Sequence, residues 1–216
     1  MLSQNPLRIA VIGSGYWGKN YVRLFSDLSE TEVVAVCDQD QAQLQKVAER
    51  FPGVMLTTKV QDVLQSDQVD AVVVATPATQ HYEVTLQCLL ANKHVLLEKP
   101  MTIYEDEARH LIEVAESRQL TLMIGHIYLF NGAIQRLKTY IDSGVMGDLY
   151  YLYTQRTNLG PIRHDVNALW DLAPHDISIL NHLMGATPQW VSAVGHKALR
   201  NSREDVGFIV LGYPNE

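Results

Sequence analysis

The hexad Gly13-Ser14-Gly15-Tyr16-Trp17-Gly18, set directly behind the apolar run Leu7–Ile12, restricts this chain more than any other feature. Glycines at this spacing suit a strand that turns sharply into a helix whose N-terminus faces an anion. Gly13 permits the tight turn, Gly15 lets the backbone approach a pyrophosphate, and Gly18 lets helix and strand pack closely. Such hexads also occur by chance, so the context carries the argument. A hydrophobic strand precedes the motif, a helix follows, and Asp38 stands 20 positions after Gly18 at the end of a second strand. A carboxylate there hydrogen-bonds a ribose 2′-hydroxyl and repels a 2′-phosphate, which favours NAD over NADP.

The pattern around the motif agrees. From residue 7 to about 125, short β-branched runs alternate with helix-period segments. The expected strands are Leu7–Ile12, Glu32–Cys37, Ala71–Ala75, His94–Leu97 and Leu120–Ile124, with helices near 18–28, 40–51, 59–65, 79–92 and 103–117. Ala71-Val72-Val73-Val74-Ala75 lacks polar alternation, as a strand covered on both faces should. Thr102 with Glu105 reads as a capping box opening the last of these helices. The fold class is therefore α/β: an N-terminal, doubly wound parallel sheet over residues 1–125. Ala75-Thr76-Pro77 and Glu98-Lys99-Pro100 each follow a strand, at the end where such sheets bind ligands. Lys99 there reads either as a surface cation or as a group beside the redox-active ring.

After Gly125 the pattern changes. A helix near 131–142 ends at Gly144, a left-handed cap. A strand-like stretch (148–158), a loop, a helix near 174–184 and strands at 189–199 and 205–213 follow. Residues 126–216 are thus expected to form an α+β domain with a mainly antiparallel sheet. The sequence stops at Tyr213-Pro214-Asn215-Glu216, a turn directly after a strand, where a hairpin partner is expected next. The second domain therefore reads as incomplete, and the long edge it leaves is an aggregation hazard.

Composition narrows the class of function. The net charge of −7 disfavours nucleic-acid binding, which needs a basic face. No segment reaches the roughly 18–20 apolar residues that span a bilayer. Residues 1–6 lack a basic start and an apolar core, so no signal peptide is expected and a cytoplasmic location follows by default. Cys37 and Cys88 lie in apolar segments and read as reduced, buried thiols. The eight histidines are scattered without metal-ligand spacing, so no metal is expected.

The ordered series Gly-Ser-Gly-Tyr-Trp-Gly, Ala75-Thr76-Pro77 with His81, Glu98-Lys99-Pro100, Gly125-His126 and Asp171-x-x-x-His175 resembles the glucose–fructose oxidoreductase / inositol dehydrogenase / MocA family of NAD(P)-dependent sugar oxidoreductases. The resemblance implies a Rossmann domain followed by an α/β domain whose open sheet carries the substrate and commonly oligomerises. It matches Lys99 to the family's active-site lysine and Asp171 and His175 to its aspartate–histidine pair. Thr76, Pro77, His81, Glu98 and Lys99 match positions on the nicotinamide side, joining Gly13, Gly15, Tyr16, Trp17, Gly18 and Asp38 in the cofactor set. Members are usually longer, and Leu129 and Gly132 stand where relatives often have arginine and proline.

The chemistry suits that resemblance. Oxidising a secondary alcohol needs a base for the hydroxyl proton, and a histidine titrates in the right range. Asp171 is placed to orient His175, and Lys99 to hydrogen-bond the reacting oxygen. On residues alone, His175 reads equally as a satisfied structural histidine. Pro174 is tolerated only in a first helical turn, so Asp171 is expected at the helix cap. Arg156-x-Asn158-x-Gly160 and Arg163 supply arginines that suit phosphate or carboxylate, although ion pairs to nearby acids are equally open. Asn131, Arg156, Asn158, Arg163 and Trp170, with Lys99 and His175, form the expected substrate set. The stretch from Tyr153 to Ile179 resembles the branch acting on nucleotide sugars, and UDP-N-acetylglucosamine oxidised at C3 is the expected substrate. A free polyol such as inositol is the alternative, as is a dinucleotide-binding protein without turnover.

Overall fold

Strands rich in valine and isoleucine, with no polar alternation, can be buried only inside a sheet covered on both faces. The computed structural model, which describes residues 5–157, 165–199 and 203–214, contains such a sheet. Six strands, β1 (Leu7–Ile12), β2 (Thr31–Cys37), β3 (Met55–Thr57), β4 (Ala71–Val74), β5 (His94–Leu97) and β6 (Leu122–Ile124), run parallel in the order β3-β2-β1-β4-β5-β6. Helices α1 (Gly18–Asp27), α2 (Gln41–Arg50), α3 (Val60–Leu64), α4 (His81–Leu90) and α5 (Glu105–Ser117) connect them. All of this lies in a first unit, residues 1–125; residues 126–216 form a second.

Strand parity divides the core of the first unit in two. Ala10, Ile12, Val72, Val74, Val95 and Leu97 face one cluster with Cys88, Leu89 and Leu111. Ile9, Val11, Val36 and Val73 face the other with Tyr21, Val22, Leu44 and Val47. Each fully buried side chain of this kind contributes about 1.5–3 kcal/mol. At the N-terminal ends of β1 and β4, Arg8 grips Asp70 with Nε to Oδ2 at 2.9 Å and Nη2 to Oδ1 at 2.6 Å. At the opposite ends the strand order reverses between β1 and β4, which opens the crevice that such sheets use for ligands.

Two local expectations are corrected here. Thr102 does not cap α5: its hydroxyl donates to the Tyr104 carbonyl at 2.6 Å, and the helix starts at Glu105. Glu107 reaches back to the Tyr104 N–H at 3.4 Å, so the reciprocal contact forms two residues later. The strand β3 went unforeseen because three residues are too few to show a period.

The second unit contains α6 (Gly132–Asp142), α7 (Ala168–Met184) and the antiparallel pair β7 (Trp190–His196) and β8 (Val206–Gly212). Gly144 takes φ +71° just beyond α6, the left-handed turn its sequence position implied. The expected strand at 148–158 does not form over the described residues 148–157. An extended segment becomes a strand only where a neighbour supplies its ladder, and the described sheet of this unit holds only β7 and β8. The helix expected near 174 begins at Ala168, six residues earlier. Asn167 rather than Asp171 caps it, its side chain accepting Trp170 N–H at 2.9 Å. Pro174 therefore sits inside α7, where its missing N–H costs the helix one backbone hydrogen bond.

Candidate functional site

The glycine hexad forms a cradle whose shape is set by backbone contacts. Gly13 follows β1 at φ +91°, with its N–H donating to the Cys37 carbonyl at 2.8 Å. A Cβ on Gly13 would stand 2.7 Å from the Ala75 carbonyl oxygen, and one on Gly18 would stand 1.7 Å from the Gly13 carbonyl oxygen. Neither position accepts another residue: at Gly13 the backbone after β4 fills the space, and at Gly18 the turn itself does. Gly15 differs: a Cβ would meet nothing within 4 Å, so its backbone faces open space. No side chain caps α1. Tyr16 and Trp17, both exposed, stand edge to face with ring centroids 6.0 Å apart beside that opening.

Asp38 joins this cradle from the end of β2. Its Oδ2 accepts the Ser14 N–H at 2.6 Å and the Ser14 hydroxyl at 2.9 Å, while Oδ1 accepts the Asp40 N–H at 2.9 Å. The carboxylate therefore braces the β1–α1 turn and the start of α2 together. A carboxylate has about four lone-pair sites, which leaves acceptor capacity for a ribose hydroxyl.

Across the switch point, the segments after β4 and β5 lie side by side. The His81 ring is buried between two carbonyl oxygens, Nδ1 at 2.7 Å from Pro100 and Nε2 at 2.9 Å from Thr76. His81, placed by sequence reasoning on the cofactor side, thus ties the two segments together from beneath. Glu98 is buried as well, with Oε1 receiving the Tyr21 hydroxyl and Oε2 the Lys99 N–H. Pro77 precedes a short 3-10 turn, and Lys99 is half-buried on its loop. Among the described residues the Thr76 hydroxyl is buried without a hydrogen-bond partner. The open Gly15, the uncapped helix and this orphaned hydroxyl fit a dinucleotide lying across the crevice.

In the second unit the candidate residues gather on α7 and the turn before α6. His175 continues the helix's buried stripe, with Ile179 and Leu183 at i+4 and i+8. Its ring meets Tyr128 edge-on, centroids 4.8 Å apart. Asp171 lies one turn earlier on the same face, in the acidic first turn that a helix N-terminus favours. Arg156 is held within this group: Nε donates to Asp176 Oδ2 at 2.9 Å, and the guanidinium lies 4.7 Å from the Tyr128 ring centroid. Burial alone lowers the Arg156 pKa, but the hydrogen bonds to Asp176 and Tyr128 outweigh it and leave the value raised.

Sequence reasoning did not find Tyr128 or Asp176, which only the fold brings to Arg156. Asn131, read as a substrate contact, caps α6 by accepting the Ala133 N–H at 2.9 Å. Trp170 is half exposed on the first turn of α7. Asn158 and Arg163 lie outside the described residues. Among the described residues no cluster of His, Cys, Asp or Glu could hold a metal ion, and no helix is long and apolar enough to cross a membrane.

Comparison with known proteins places these features. Residues 7–126 match the model of an oxidoreductase family with an NAD-binding Rossmann fold, and residues 134–216 match a GFO/IDH/MocA C-terminal domain. The chain is 32% identical over 206 residues to a UDP-N-acetylglucosamine 3-dehydrogenase of Acidithiobacillus ferrooxidans, covering 92% of this chain and 61% of that protein. It is 35% identical over 150 residues to an inositol 2-dehydrogenase of Rhodococcus erythropolis, covering 68% of this chain and 43% of that one. Among solved structures, GenD2 from gentamicin A biosynthesis in complex with NAD superposes with a TM-score of 0.87 at 25% identity, over 97% of this chain and 63% of that one. The chain thus spans less than two thirds of the length of these relatives.

Proposed function

Because the chain belongs to the Gfo/Idh/MocA family of oxidoreductases, with an NAD-binding Rossmann domain, we propose that it takes part in NAD-dependent oxidation of a secondary hydroxyl of a sugar. A UDP-sugar such as UDP-N-acetylglucosamine, oxidised at C3, is the favoured substrate. The observation that carries this reading is the crevice of the first unit. There the Gly13–Gly18 cradle and Asp38 stand ready for the adenosine and pyrophosphate, with Lys99 on the neighbouring loop. NAD, when bound, supplies the hydride acceptor.

The protein's own groups divide the remaining work. Asp38 accepts from the ribose and disfavours a 2′-phosphate by charge. Lys99 donates to the substrate oxygen and steadies alkoxide character as the proton leaves. His175 takes that proton, with Asp171 favouring its charged form. Arg156, tied to Asp176, shapes the wall near His175 rather than offering a free guanidinium. The choice of a nucleotide sugar is supported by the relative from Acidithiobacillus ferrooxidans, and the inositol 2-dehydrogenase relative makes a free polyol the second reading. The pair β7–β8 exposes Val194, Phe208 and Val210 on one face, at 63%, 69% and 56%. That face supports a homo-oligomer assembled through the C-terminal sheet.

The test is absorbance at 340 nm with NAD and a panel of UDP-sugars, with myo-inositol as comparator. NADH formed with one UDP-sugar supports the reading; NADH formed only with inositol transfers it to the polyol class. Lys99→Ala is expected to abolish turnover while NAD affinity stays within about threefold, a change under 1 kcal/mol. Turnover at the wild-type rate in that variant removes Lys99 from the mechanism.

A further inference from the structure

Tyr21 lies outside the glycine motif, yet its side chain reaches the lysine loop. It occupies the first turn of α1, buried, and stacks on Phe25 with ring centroids 6.1 Å apart. Its hydroxyl donates to Glu98 Oε1 at 2.5 Å, and Glu98 Oε2 accepts the Lys99 N–H at 3.1 Å. Glu98 is 8% exposed, so a carboxylate is taken out of water with both oxygens satisfied, one by α1 and one by the lysine's own backbone. Burial, then the carboxylate, pushes the Tyr21 phenol far above its usual range, so its hydroxyl remains a donor at neutral pH. Gly125 closes on the same bond. A Cβ there would stand 3.2 Å from Glu98 Oε1 and 3.3 Å from the Tyr21 hydroxyl. Three segments remote in sequence converge on one hydrogen bond.

We infer that Tyr21 is a positioning residue: through Glu98 it locks the Lys99 loop to the helix that receives the pyrophosphate. One rigid frame then holds both ends of the coenzyme. The inference rests on the reading that places Lys99 beside the nicotinamide. Without the Tyr21 hydroxyl, Glu98 Oε1 is left buried without its donor, and the carboxylate turns toward another partner or toward water, taking the loop with it.

Two variants isolate the bond. Tyr21→Phe keeps the ring and its stack on Phe25 and removes only the hydroxyl. Gly125→Ala keeps both partners and crowds only their contact, so it carries the test if Tyr21→Phe lowers the melting temperature. Each is titrated with NADH and with ADP-ribose, which has the adenosine and pyrophosphate but no nicotinamide. In both variants ADP-ribose affinity is expected to stay within about twofold of wild type. NADH is expected to bind about tenfold more weakly, as for loss of a hydrogen bond to a charged group, with a smaller rise in nicotinamide fluorescence. Glu98→Gln combined with Tyr21→Phe should give less than the sum of the two losses, since both act on one contact.

Equal weakening of NADH and ADP-ribose would assign Tyr21 to the general stability of α1 and overturn the inference. Unchanged NADH binding in both variants would do the same. Lys99→Ala separates the two readings. If it leaves nicotinamide fluorescence unchanged while Tyr21→Phe alters it, the placement of Lys99 fails and the Tyr21–Glu98 coupling stands.

Discussion

Replacing Gly15 by alanine separates binding from folding, because the added methyl meets nothing within 4 Å in the protein itself. Its backbone lies outside the left-handed region, so alanine restricts the unfolded chain without straining the folded one. Such a change stabilises by about 0.4–1 kcal/mol, or roughly 1–5 °C in melting temperature for a unit of this size. With coenzyme present the same methyl occupies the space where the pyrophosphate must approach the backbone. If that costs about 2 kcal/mol, affinity falls roughly 30-fold. At NAD concentrations 100 times the wild-type Kd, ligand stabilisation is about 2.7 kcal/mol for wild type and about 0.9 kcal/mol for the variant. Thermal melts with and without NAD therefore give the answer: a variant slightly more stable than wild type without NAD, with a NAD-induced shift about one third as large. An undiminished shift would remove Gly15 from the pyrophosphate site. A variant that melts well below wild type without NAD would refute the open-space reading. Gly18→Ala is the control, because its methyl at 1.7 Å from the Gly13 carbonyl should prevent the turn from forming.

Asp38→Ala should narrow the preference for NAD over NADP, measured as the ratio of Kd values by calorimetry; an unchanged ratio refutes the ribose contact. It should also lower the melting temperature, since Ser14 and Asp40 both lose their acceptor. The hydrogen bonds from Arg8 hold the Asp70 carboxyl below its ordinary pKa. A depressed carboxylate contributes stability above its unfolded pKa, near 3.9, and loses it as pH falls through the folded value. Asp70→Asn should accordingly cost about 0.5–1 kcal/mol at pH 7, with the gap in urea midpoint closing below about pH 4. A gap that persists at acid pH would show that the pair contributes nothing through charge. Burial first, then Asp38, pushes the Cys37 thiol up to about 11, and burial pushes Cys88 up to about 12. Iodoacetamide at pH 8 should modify neither thiol until the protein unfolds; rapid native-state labelling would contradict their burial.

The first unit was legible because its signals are local. The unbroken valines at 72–74 can serve only a strand covered on both faces, and Gly13 and Gly18 of the hexad make backbone contacts that no other residue permits. β3 escaped because three residues carry no period. α7 was started late because Pro174 suggests a boundary, whereas the helix is capped at Asn167 and continues past the proline. The second unit was read less well for the same kind of reason. Tyr150, Tyr151 and Tyr153 suit a strand, but a strand exists only with a neighbour, and pairing is not written in the segment itself. Arg156 had an even chance of being a free cation on sequence grounds. The fold settles it by bringing Asp176, 20 residues on, to 2.9 Å. Tyr21 was invisible because its partner lies 77 residues away.

The strand order also bears on how the chain is made. β1 is central, paired on one side with β2 and on the other with β4. During synthesis β2 is complete at Cys37, whereas β4 is complete only at Val74. At about 5–20 residues per second that interval lasts roughly 2–7 s. Throughout it the most apolar edge of the nascent sheet, Ile9 to Ile12, has no partner on its β4 side. Non-local parallel pairing of this kind is slow and open to misassociation. Yield in vivo should thus depend more on the arrival of residues 71–74 than on any residue of the site, and mutations that weaken β4 should act first on the amount of soluble protein.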